Sequence, residues 1–293
     1  MLSILIPTYN DECYELVASL VTQAQSVNGL QYEIIVADDA STDQDAVAKN
    51  QQIAQLPCCR LLTFKENQGR AVVRNRLAKA SQYDRLLFID SDMTIVSNHF
   101  LADYLASDAE VIYGGYTIVK DSTKQRSNLR YRYELKAEPY HTAQRRNLQP
   151  DKDFHTSNFI IERQLFLSHP LDTRFKTYGF EDVLFGKTLT EAGHVITHID
   201  NPVGFSRFET NEEFLNKTEE SIRTLLTFSQ QLQGYSRLLD TVDKLQCLHL
   251  SRLATAIFKP LLKPLRKQLC GNHPNLFVFK LYKIGYLLQL RQQ

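Results

Sequence analysis

Residues 85–95 read RLLFIDSDMTI, and this stretch decides the fold. An apolar run, Leu86–Ile89, has the length of a strand and ends in two acids, Asp90 and Asp92, one residue apart. Short, continuous apolar runs bounded by turn-forming residues are typical of strands that are buried on both faces of a parallel sheet. We therefore predict a core strand whose carboxyl end carries two carboxylates.

Similar apolar runs occur before and after this stretch, separated by segments with helical spacing. Helical patterns such as Ala71–Ser81 and His99–Ala106 lie between them. The other predicted strands are Leu2–Pro7, Tyr32–Asp39, Cys59–Phe64 and Ala109–Tyr116. This alternation predicts an α/β fold with βαβ units, in which a mostly parallel sheet is flanked by helices. Ligands of such sheets bind beyond the carboxyl ends of the strands, and the polar clusters of this sequence follow the strands there.

The second half of the chain changes character. Residues 126–149 form a polar excursion with a weak helical pattern, and a strand is predicted at Phe154–Arg163. A glycine loop leads into a helix near Glu181, and Thr210 with Glu213 has the spacing of a capping box. The rest reads as helical, with interruptions predicted at Pro260, at Pro264 and at residues 270–275. We predict a catalytic domain over 1–210 and a helical extension over 211–293.

The composition is typical of a soluble globular protein, with 43% hydrophobic and 23% charged residues. Five cysteines without CxxC spacing disfavour a disulfide framework or a zinc site and favour a reducing compartment. The amino-terminal apolar run lacks the features of a signal peptide, and no apolar window is long enough for a membrane span. We therefore expect a cytoplasmic protein.

The net charge of +1 hides an uneven distribution. No acid follows Asp243, and the last fifty residues contain nine Lys or Arg, whereas the first 243 contain all 33 acids and 25 basic residues. The basic tail mixes these charges with Leu, Ile and Phe, which predicts attachment to an anionic membrane surface, peripheral on the inner face of the cell membrane. The alternative is that the tail packs on the catalytic domain or on a second subunit, as in a homo-oligomer. No motif for nucleic acid is present.

Four clusters could carry chemistry, and each has a structural alternative. Asp90 and Asp92 point the same way and could hold a hard divalent cation, whereas an isolated DxD is more often a turn. Arg70 and Arg74 lie four apart at a helix start and suit phosphate, unless Arg74 is paired internally with an acid. Asp39, after the second strand, could accept from a base or a ribose, or its neighbours could cap a helix.

The fourth cluster is Glu181-Asp182, which combines a favourable placement at a helix start with the chemistry of a general base. Each histidine, taken singly, is more often structural than a ligand. The sequence contains neither GxGxxG after a strand nor GxxxxGK[ST], which disfavours a dinucleotide fold and a P-loop.

Six segments occur in the order and with the spacing of the motifs of glycosyltransferase family 2, which this chain therefore resembles. They are SILIPTYN, EIIVADDAS, NQGRAVVRN, FIDSD, HTSNFII and YGFEDVLFGKTL, and they span roughly residues 1 to 220. The resemblance implies an inverting nucleotide-sugar transferase with the Rossmann-like GT-A fold.

Carried over by position, the resemblance implies a role for each matching residue. Asp182 matches the catalytic base, and Glu181 matches its partner, which positions acceptor or sugar. Asp92 resembles the direct metal ligand, and Asp90 the acid near ribose and metal. The residues implied to bind the nucleotide donor are Pro7, Thr8, Tyr9, Asp39, Arg70, Arg74, Asp90 and Ser91. Those implied to line the sugar and acceptor pocket are Asn158 and Gly179.

The resemblance also implies the reaction. Mn²⁺ or Mg²⁺ would offset charge on the leaving nucleoside diphosphate, while Asp182 deprotonates the acceptor hydroxyl. A hexosyl or N-acetylhexosaminyl group would pass from a nucleoside-diphosphate sugar, with UDP as the expected nucleotide. The acceptor would be a glycan or a lipid-linked glycan in polysaccharide biosynthesis.

One position departs from the pattern of similar sequences. Those that continue NPV…E.NE.FL.KT often have a histidine two residues after the Val, where this chain has Phe205. If that histidine is a metal ligand in them, this metal site has lost one ligand. His198 is the candidate replacement, and a weak metal or one that binds only with donor phosphates is the alternative.

Two other functions compete with glycosyl transfer. A nucleotidyltransferase can share a βαβ core, but it would normally have a Gly-rich basic loop after the first strand, where this chain has PTYNDE. A non-catalytic nucleotide-sugar-binding scaffold is expected to have lost the base or the DxD, and both are present here.

Overall fold

The computed structural model describes residues 1–292, which form two compact units that alternate along the chain. The first unit consists of Met1–Val119, Tyr140–Lys176 and Glu181–Arg207, and the second of Lys120–Pro139, Thr177–Phe180 and the chain from Phe208 onward. The domain boundary predicted at residue 210 lies near the last passage between the units. As a division into domains it stays a prediction.

Ten strands lie in the described residues, all of them in the first unit. They are β1 (Leu2–Thr8), β2 (Tyr32–Asp38), β3 (Cys59–Thr63), β4 (Arg85–Ile89), β5 (Met93–Ile95), β6 (Val111–Tyr113), β7 (Tyr116–Ile118), β8 (Asn158–Glu162), β9 (Ile196–His198) and β10 (Val203–Phe205). Seven form one sheet in the order β3-β2-β1-β4-β8-β6-β9, in which β8 alone is antiparallel to its neighbours. A small second sheet has the order β5-β10-β7.

The helices occupy the segments between strands and most of the chain after residue 210. They are α1 (Tyr14–Ser26), α2 (Gln44–Gln51), α3 (Arg70–Ala80), α4 (Phe100–Leu105), α5 (Leu129–Ala137), α6 (Ala143–Arg146), α7 (Arg163–Ser168), α8 (Glu181–Glu191), α9 (Asn211–Thr227), α10 (Arg237–Cys247), α11 (Ser251–Cys270) and α12 (Leu276–Leu290). Within residues 1–292, every helix is too short or too polar to traverse a bilayer.

The core of the first unit forms because its central strands are apolar on both faces. In β1, β2 and β4 the Leu, Ile, Val, Ala and Phe side chains are completely buried, as the continuous apolar runs predict. The rings of Phe88 on β4 and Phe159 on β8 stack with centroids 4.9 Å apart, and Phe166 of α7 stacks on Phe88 at the same distance. Because β1, β2, β3 and β4 are parallel, their carboxyl ends meet at one edge of the sheet.

Two predicted strands differ from those observed. The run Ala109–Tyr116 divides into β6 and β7, because Gly115 adopts φ +85° and a Cβ at Gly114 would lie 2.4 Å from the hydroxyl of Tyr104. The run Phe154–Arg163 begins as a strand only at Asn158, and residues 154–157 form a loop at the end of the sheet.

The second unit is helical, and its helices pack through a core of their own. Leu129 of α5, Leu215 of α9, Leu269 of α11 and Phe279 of α12 belong to one buried cluster. The predicted capping box at the start of α9 is confirmed, with Thr210 and Glu213 bonded reciprocally. The predicted interruptions at Pro260 and Pro264 are wrong, since α11 runs through both prolines. The third predicted interruption is confirmed, since α11 ends at Cys270 and α12 begins at Leu276.

Candidate active site

Polar side chains gather at the carboxyl edge of the main sheet, where neighbouring strands end together. The backbone N–H of Asp39 donates to the carbonyl of Thr8 at 2.9 Å, and that of Asp90 donates to the carbonyl of Ser157 at 3.0 Å. The ends of β1, β2, β4 and β8 are thereby fixed relative to one another. The sequence patterns at three separate places thus meet at one edge, as predicted.

The carboxylate of Asp39 organises the loop that precedes α3. It is buried, and its two oxygens accept from the backbone N–H groups of Gln68 at 2.8 Å and Gly69 at 2.9 Å. Gly69 has φ +85° and lies immediately before the first residue of α3. Asp39 therefore fixes the position at which Arg70 leaves the loop, and any contact with a nucleobase would use its remaining lone pairs.

The amino-terminal loop residues differ in their accessibility. Tyr9 is exposed, whereas Thr8 is buried and its hydroxyl donates to the carbonyl of Asp11 at 2.9 Å. Pro7 lies inside β1 and is partly buried. Of these three residues, Tyr9 alone presents a large apolar face to solvent at this edge.

Arg74 is an internal partner of Asp90, which is the alternative that the sequence left open. The guanidinium is almost completely buried, with 2% of the residue exposed, and its Nη2 donates to Oδ1 of Asp90. Its Nη1 donates to the carbonyl of Arg70 at 3.3 Å. The prediction that Arg74 binds phosphate directly is therefore not supported, because burial and this ion pair direct its charge to Asp90. Arg70, by contrast, is about half exposed.

Asp90 and Asp92 flank the turn between β4 and β5. Both side chains are partly exposed, as is Ser91 between them. Two carboxylates on one turn suit a hard divalent cation whose remaining ligands are phosphate oxygens and water. No cluster of three or more His, Cys, Asp or Glu side chains in residues 1–292 could enclose a metal by itself. The donor set therefore fits a metal that is held jointly with a substrate.

Phe205 stands beside this turn. It is buried on β10, where it is the register partner of Met93, the residue that follows Asp92. A side chain at position 205 is thus close to the turn, and here it is apolar. His198 does not replace it, because its Nδ1 accepts from Arg146 Nε at 3.1 Å and its Nε2 donates to the carbonyl of Pro150 at 2.9 Å. Both ring nitrogens of His198 are therefore engaged within the protein, and the structure contradicts His198 as a metal ligand.

Glu181 and Asp182 open α8 and have different surroundings. The Oε1 of Glu181 lies 3.7 Å from Nη1 of Arg70, while its Oε2 is buried without a hydrogen bond from the described residues. Burial raises the pKa of Glu181 although Arg70 opposes this effect. The carboxyl group of Glu181 therefore lies where it can orient the guanidinium of Arg70.

Asp182 is held by a histidine that the sequence did not single out. Its Oδ2 lies 2.7 Å from Nδ1 of His155, and its Oδ1 accepts from the backbone N–H of Val183 at 2.8 Å. Burial acts to raise the pKa of Asp182, but the hydrogen bond and the charge of His155 outweigh it and hold that pKa below its usual value. The signal that could have identified His155 is its position in HTSN, three residues before β8, whose first residue Asn158 pairs with Ile89 at the end of the DxD strand.

Asn158 is structural, which corrects its prediction as a pocket residue. It is 0% exposed; its Oδ1 accepts from the hydroxyl of Tyr104 at 2.7 Å, and its Nδ2 donates to the carbonyls of Gly115 at 2.8 Å and Asn201 at 2.9 Å. Every donor of its amide is used inside the core. Gly179 belongs to the second unit, where φ +103° and the proximity of Ser221 explain why glycine is present.

A small cleft borders His155. It encloses about 230 Å³, including space that is open to solvent. Its lining residues are Tyr113, Tyr116, His141, Arg146, Asp153 and His155. The ring of Tyr116 contacts those of His141 and His155 edge-on, with centroids 5.2 and 6.2 Å apart. Aromatic faces beside polar groups suit the alternating apolar and hydroxyl surfaces of a sugar.

The order of elements, the DxD turn and the acid at the start of α8 match the pattern that the sequence resemblance implied. The family model described as "Glycosyl transferase family 2" matches residues 3–168. The chain belongs to glycosyl transferase family 2. The predicted family is thereby confirmed.

Curated relatives agree with this assignment. Two are named "Uncharacterized glycosyltransferase" and come from Haemophilus influenzae. One is 33% identical over 108 residues, covering 37% of this chain and 38% of the relative. The other is 26% identical over 253 residues, covering 81% of this chain and 76% of the relative. The alignment thus spans less than half of the first relative and about three quarters of the second.

Solved structures share the fold. Residues 1–349 of Staphylococcus aureus TarS in complex with UDP-GlcNAc align with a TM-score of 0.52 and 16% identity, covering 99% of this chain and 91% of that one. Mannosyltransferase PcManGT from Pyrobaculum calidifontis, in complex with GDP-Man and Mn²⁺, aligns with a TM-score of 0.55 and 12% identity, covering 100% and 88%. At these identities the likeness establishes the fold, and the predicted GT-A architecture with its carboxyl-terminal helices is confirmed.

Proposed function

We propose that this family 2 protein is an inverting glycosyltransferase that moves a sugar from a UDP-linked donor to an acceptor hydroxyl. The observation that carries the proposal is the hydrogen bond between Asp182 and His155 at the edge of the sheet where Asp90 and Asp92 also lie. This arrangement provides an ionised carboxylate, Asp182, and a separate pair of acids that would hold the metal of a diphosphate. A nucleotidyltransferase has no need of the first, and a non-catalytic scaffold has no need to retain both.

The proposed reaction is a single displacement. Asp182 accepts the proton of the acceptor hydroxyl, and the oxygen attacks the anomeric carbon from the face opposite the diphosphate. The bond from that carbon to the phosphate oxygen breaks, and its electron pair leaves with UDP, so that the configuration inverts. The lowered pKa of Asp182 keeps it ionised at neutral pH and ready to accept this proton.

The donor side is assigned to residues around the DxD turn. Asp90 and Asp92 would hold Mn²⁺ or Mg²⁺, which would offset the negative charge of the leaving diphosphate. Arg74 orients Asp90 from inside, because its buried guanidinium donates to that carboxylate. Arg70, whose Nη1 lies 3.7 Å from Glu181, would meet a phosphate oxygen, and the exposed ring of Tyr9 would meet the base. The complexes of TarS with UDP-GlcNAc and of PcManGT with Mn²⁺ support this reading by analogy.

The transferred group and the acceptor form the outer part of the proposal. We infer a hexosyl or N-acetylhexosaminyl donor, and a glycan or lipid-linked acceptor of polysaccharide biosynthesis on the inner face of the cell membrane. The cleft beside His155 is bordered by the ring of Tyr116 and lies next to Asp182, and we propose that the sugar or the acceptor approaches Asp182 there. Self-association stays a prediction.

The test is nucleotide release and product stereochemistry with purified protein. UDP-GlcNAc, UDP-glucose, UDP-galactose and GDP-mannose are each incubated with and without Mn²⁺, and thermal shifts are recorded in parallel. We expect a UDP-sugar, with Mn²⁺, to raise the Tm of the protein. We also expect the protein to hydrolyse this donor slowly, with water as the acceptor, and to release UDP. The proposal fails if no nucleotide sugar stabilises the protein or is hydrolysed, and retention of configuration in a trapped product would refute inversion alone.

A further inference from the structure

Helix α11 has three distinct sides. Thr255, Leu262 and Leu269 are buried and seven residues apart, which places them on one side, toward the core of the second unit. A second side is apolar and exposed. We call it the apolar stripe; it comprises Leu250, which caps the helix, and Leu253, Ile257 and Leu261, with 43% to 60% of each residue exposed. Four large apolar side chains in a row on one surface are more than the scattered exposure that a globular surface normally shows.

The third side of α11 is positively charged. The cationic row consists of Arg252, Lys259, Lys263 and Lys267, all exposed and spaced seven, four and four residues apart. Within the described residues no ion pair neutralises any of the four. Arg266 is different, since it pairs with Glu219 at 3.3 Å and with Glu212 at 3.5 Å. At 100° per residue, the cationic row follows one flank of the apolar stripe.

Helix α12 shows the opposite behaviour, although its sequence mixes the same residue types. Phe279, Tyr282 and Leu288 are buried. Lys283 lies over the rings of Tyr133 and Phe279, and burial lowers its pKa to about 8. The alternative of internal packing therefore describes most of α12, whereas the outer sides of α11 have no such cover within this chain's second unit.

The prolines of α11 restrict the environment that its outer surface can enter. Pro260 and Pro264 are exposed and lie within the helix, so the carbonyls of Ala256 and Pro260 lose their helical donors. In the hydrocarbon of a bilayer each such carbonyl would cost several kcal/mol, whereas water supplies a donor at the level of the headgroups. This favours a helix that lies at the interface over one that enters the bilayer core.

We infer that α11 docks on an anionic lipid bilayer, with the apolar stripe in the acyl boundary and the cationic row against the headgroups. Such a division into apolar and cationic sides is what an interfacial helix requires. A second copy of the chain fits less well, because no acid follows Asp243 and a symmetric contact would bring the cationic rows near each other. This inference deepens the proposed membrane partner by assigning the face and the residues that make the contact.

Vesicle flotation tests the inference without using catalysis, so its failure is separate from any failure of the proposed transferase reaction. The protein is mixed with vesicles of phosphatidylcholine alone, or of phosphatidylcholine and phosphatidylglycerol in equal amounts. We expect binding to the second kind only, weakening as salt is added because exposed charges are screened. The triple variant Lys259→Ala, Lys263→Ala, Lys267→Ala should bind about a hundredfold more weakly, since each basic residue contributes about fivefold.

The apolar stripe is tested independently. Leu253→Ser and Ile257→Ser should each weaken binding to the mixed vesicles by roughly tenfold, because each removes a side chain that would be buried in the acyl boundary. The matched controls are Lys79→Ala and Val195→Ser, which alter an exposed lysine and an exposed valine of the first unit and should bind normally. Circular dichroism and Tm establish that each variant is folded.

Three results would overturn the inference. The first is a wild-type protein that does not float with the anionic vesicles. The second is a folded triple variant that binds as tightly as the wild type. The third is a dimer in analytical ultracentrifugation that Leu253→Ser separates while no vesicle binding is seen, which would assign the apolar stripe to self-association.

Discussion

Nδ1 of His155 and Oδ2 of Asp182 lie 2.7 Å apart. Since the pKa of Asp182 is held low, its carboxylate accepts at neutral pH, and the proton of this bond resides on Nδ1. The imidazole then presents Nε2 on its other side. Each carboxylate oxygen of Asp182 retains a lone pair for an acceptor hydroxyl. His155 therefore orients Asp182 and leaves it able to accept the proton of that hydroxyl.

Asp182→Asn should abolish sugar transfer and leave nucleotide binding intact. An amide is nearly isosteric but cannot take up a proton, and general-base catalysis typically contributes a factor of about 10² to 10⁴. The measurements are kcat for transfer and the Kd of UDP with Mn²⁺ by calorimetry. Asp172→Asn, which alters a carboxylate paired with Arg174, is the matched control and should remain active. Full turnover by Asp182→Asn would remove Asp182 as the base.

His155→Ala should shift the acidic limb of the pH profile of kcat/KM toward higher pH. Without the histidine, burial is the dominant influence on Asp182, so its pKa rises and more of it is protonated at a given pH. A shift of about one pH unit is expected for the loss of such a partner. His155→Asn should restore part of the wild-type profile, because its side-chain N–H can occupy the place of Nδ1–H. An unchanged acidic limb in His155→Ala would show that His155 does not act on the base.

Arg74→Met should destabilise the first unit and weaken the binding of UDP with Mn²⁺. Asp90 would lose the cation that holds it, and removal of one partner from a largely buried ion pair costs about 3 kcal/mol of unfolding free energy. Urea unfolding gives this quantity. Arg74→Met with Asp90→Asn should be less destabilised than the sum of the single changes, because the uncompensated charge is gone. Additive effects would mean that the two residues act independently.

Asn158→Ala should lower stability and leave the KM for the donor unchanged in the folded protein. Its amide bonds Tyr104, Gly115 and Asn201 inside the core, and its loss leaves buried polar groups unpaired, at a cost of about 2 to 4 kcal/mol. Tm and donor KM are measured together, with the exposed Asn98→Ala as control. A stable Asn158→Ala with a raised KM would instead support the pocket role implied by the sequence resemblance.

Gly179→Ala should destabilise the second unit more than Gly193→Ala destabilises the first. Both positions have positive φ, +103° and +90°, but a Cβ at 179 would lie 2.5 Å from Oγ of Ser221, whereas a Cβ at 193 meets nothing within 4 Å. Gly193→Ala should therefore cost about 1 kcal/mol for backbone conformation alone, and Gly179→Ala should add a steric cost on top. Equal losses in chemical denaturation would argue against the close approach at Ser221.

The sequence predicted the sheet and its polar edge because continuous apolar runs have few alternatives to buried parallel strands. It placed Asp39, Asp90 and Asp182 at ends of elements that the structure brings to one edge. It could not decide whether Arg74 binds a phosphate or an internal acid, since Asp90 is sixteen residues away and the pairing depends on how α3 packs against the sheet. It could not show that Asn158 is buried, since an asparagine at a strand start reads equally well as a pocket residue.

The errors at Pro260 and Pro264 have a related cause. Proline is costly inside a helix because of the lost N–H and the ring's contact with the preceding turn, but packing of the rest of the helix can outweigh this cost. Leu262 and Leu269 provide that packing, because they belong to one buried cluster with residues of α9 and α12. His155 was also missed because of a distant contact: its significance depends on a carboxylate 27 positions later in the chain.

The alternation of the chain between its two units affects the order in which the protein can mature on the ribosome. Helix α5 emerges early, yet Leu129 donates its N–H to Asn211 Oδ1 at 2.7 Å, and Arg132 donates to the carbonyl of Pro274 at 2.6 Å. These partners lie 82 and 142 residues later in the chain, so α5 must wait for their synthesis before it can pack as in the native protein. Truncation near residue 210 would leave α5 without its native cover, and we expect chaperone binding and degradation of the truncated chain, not a free-standing catalytic fragment.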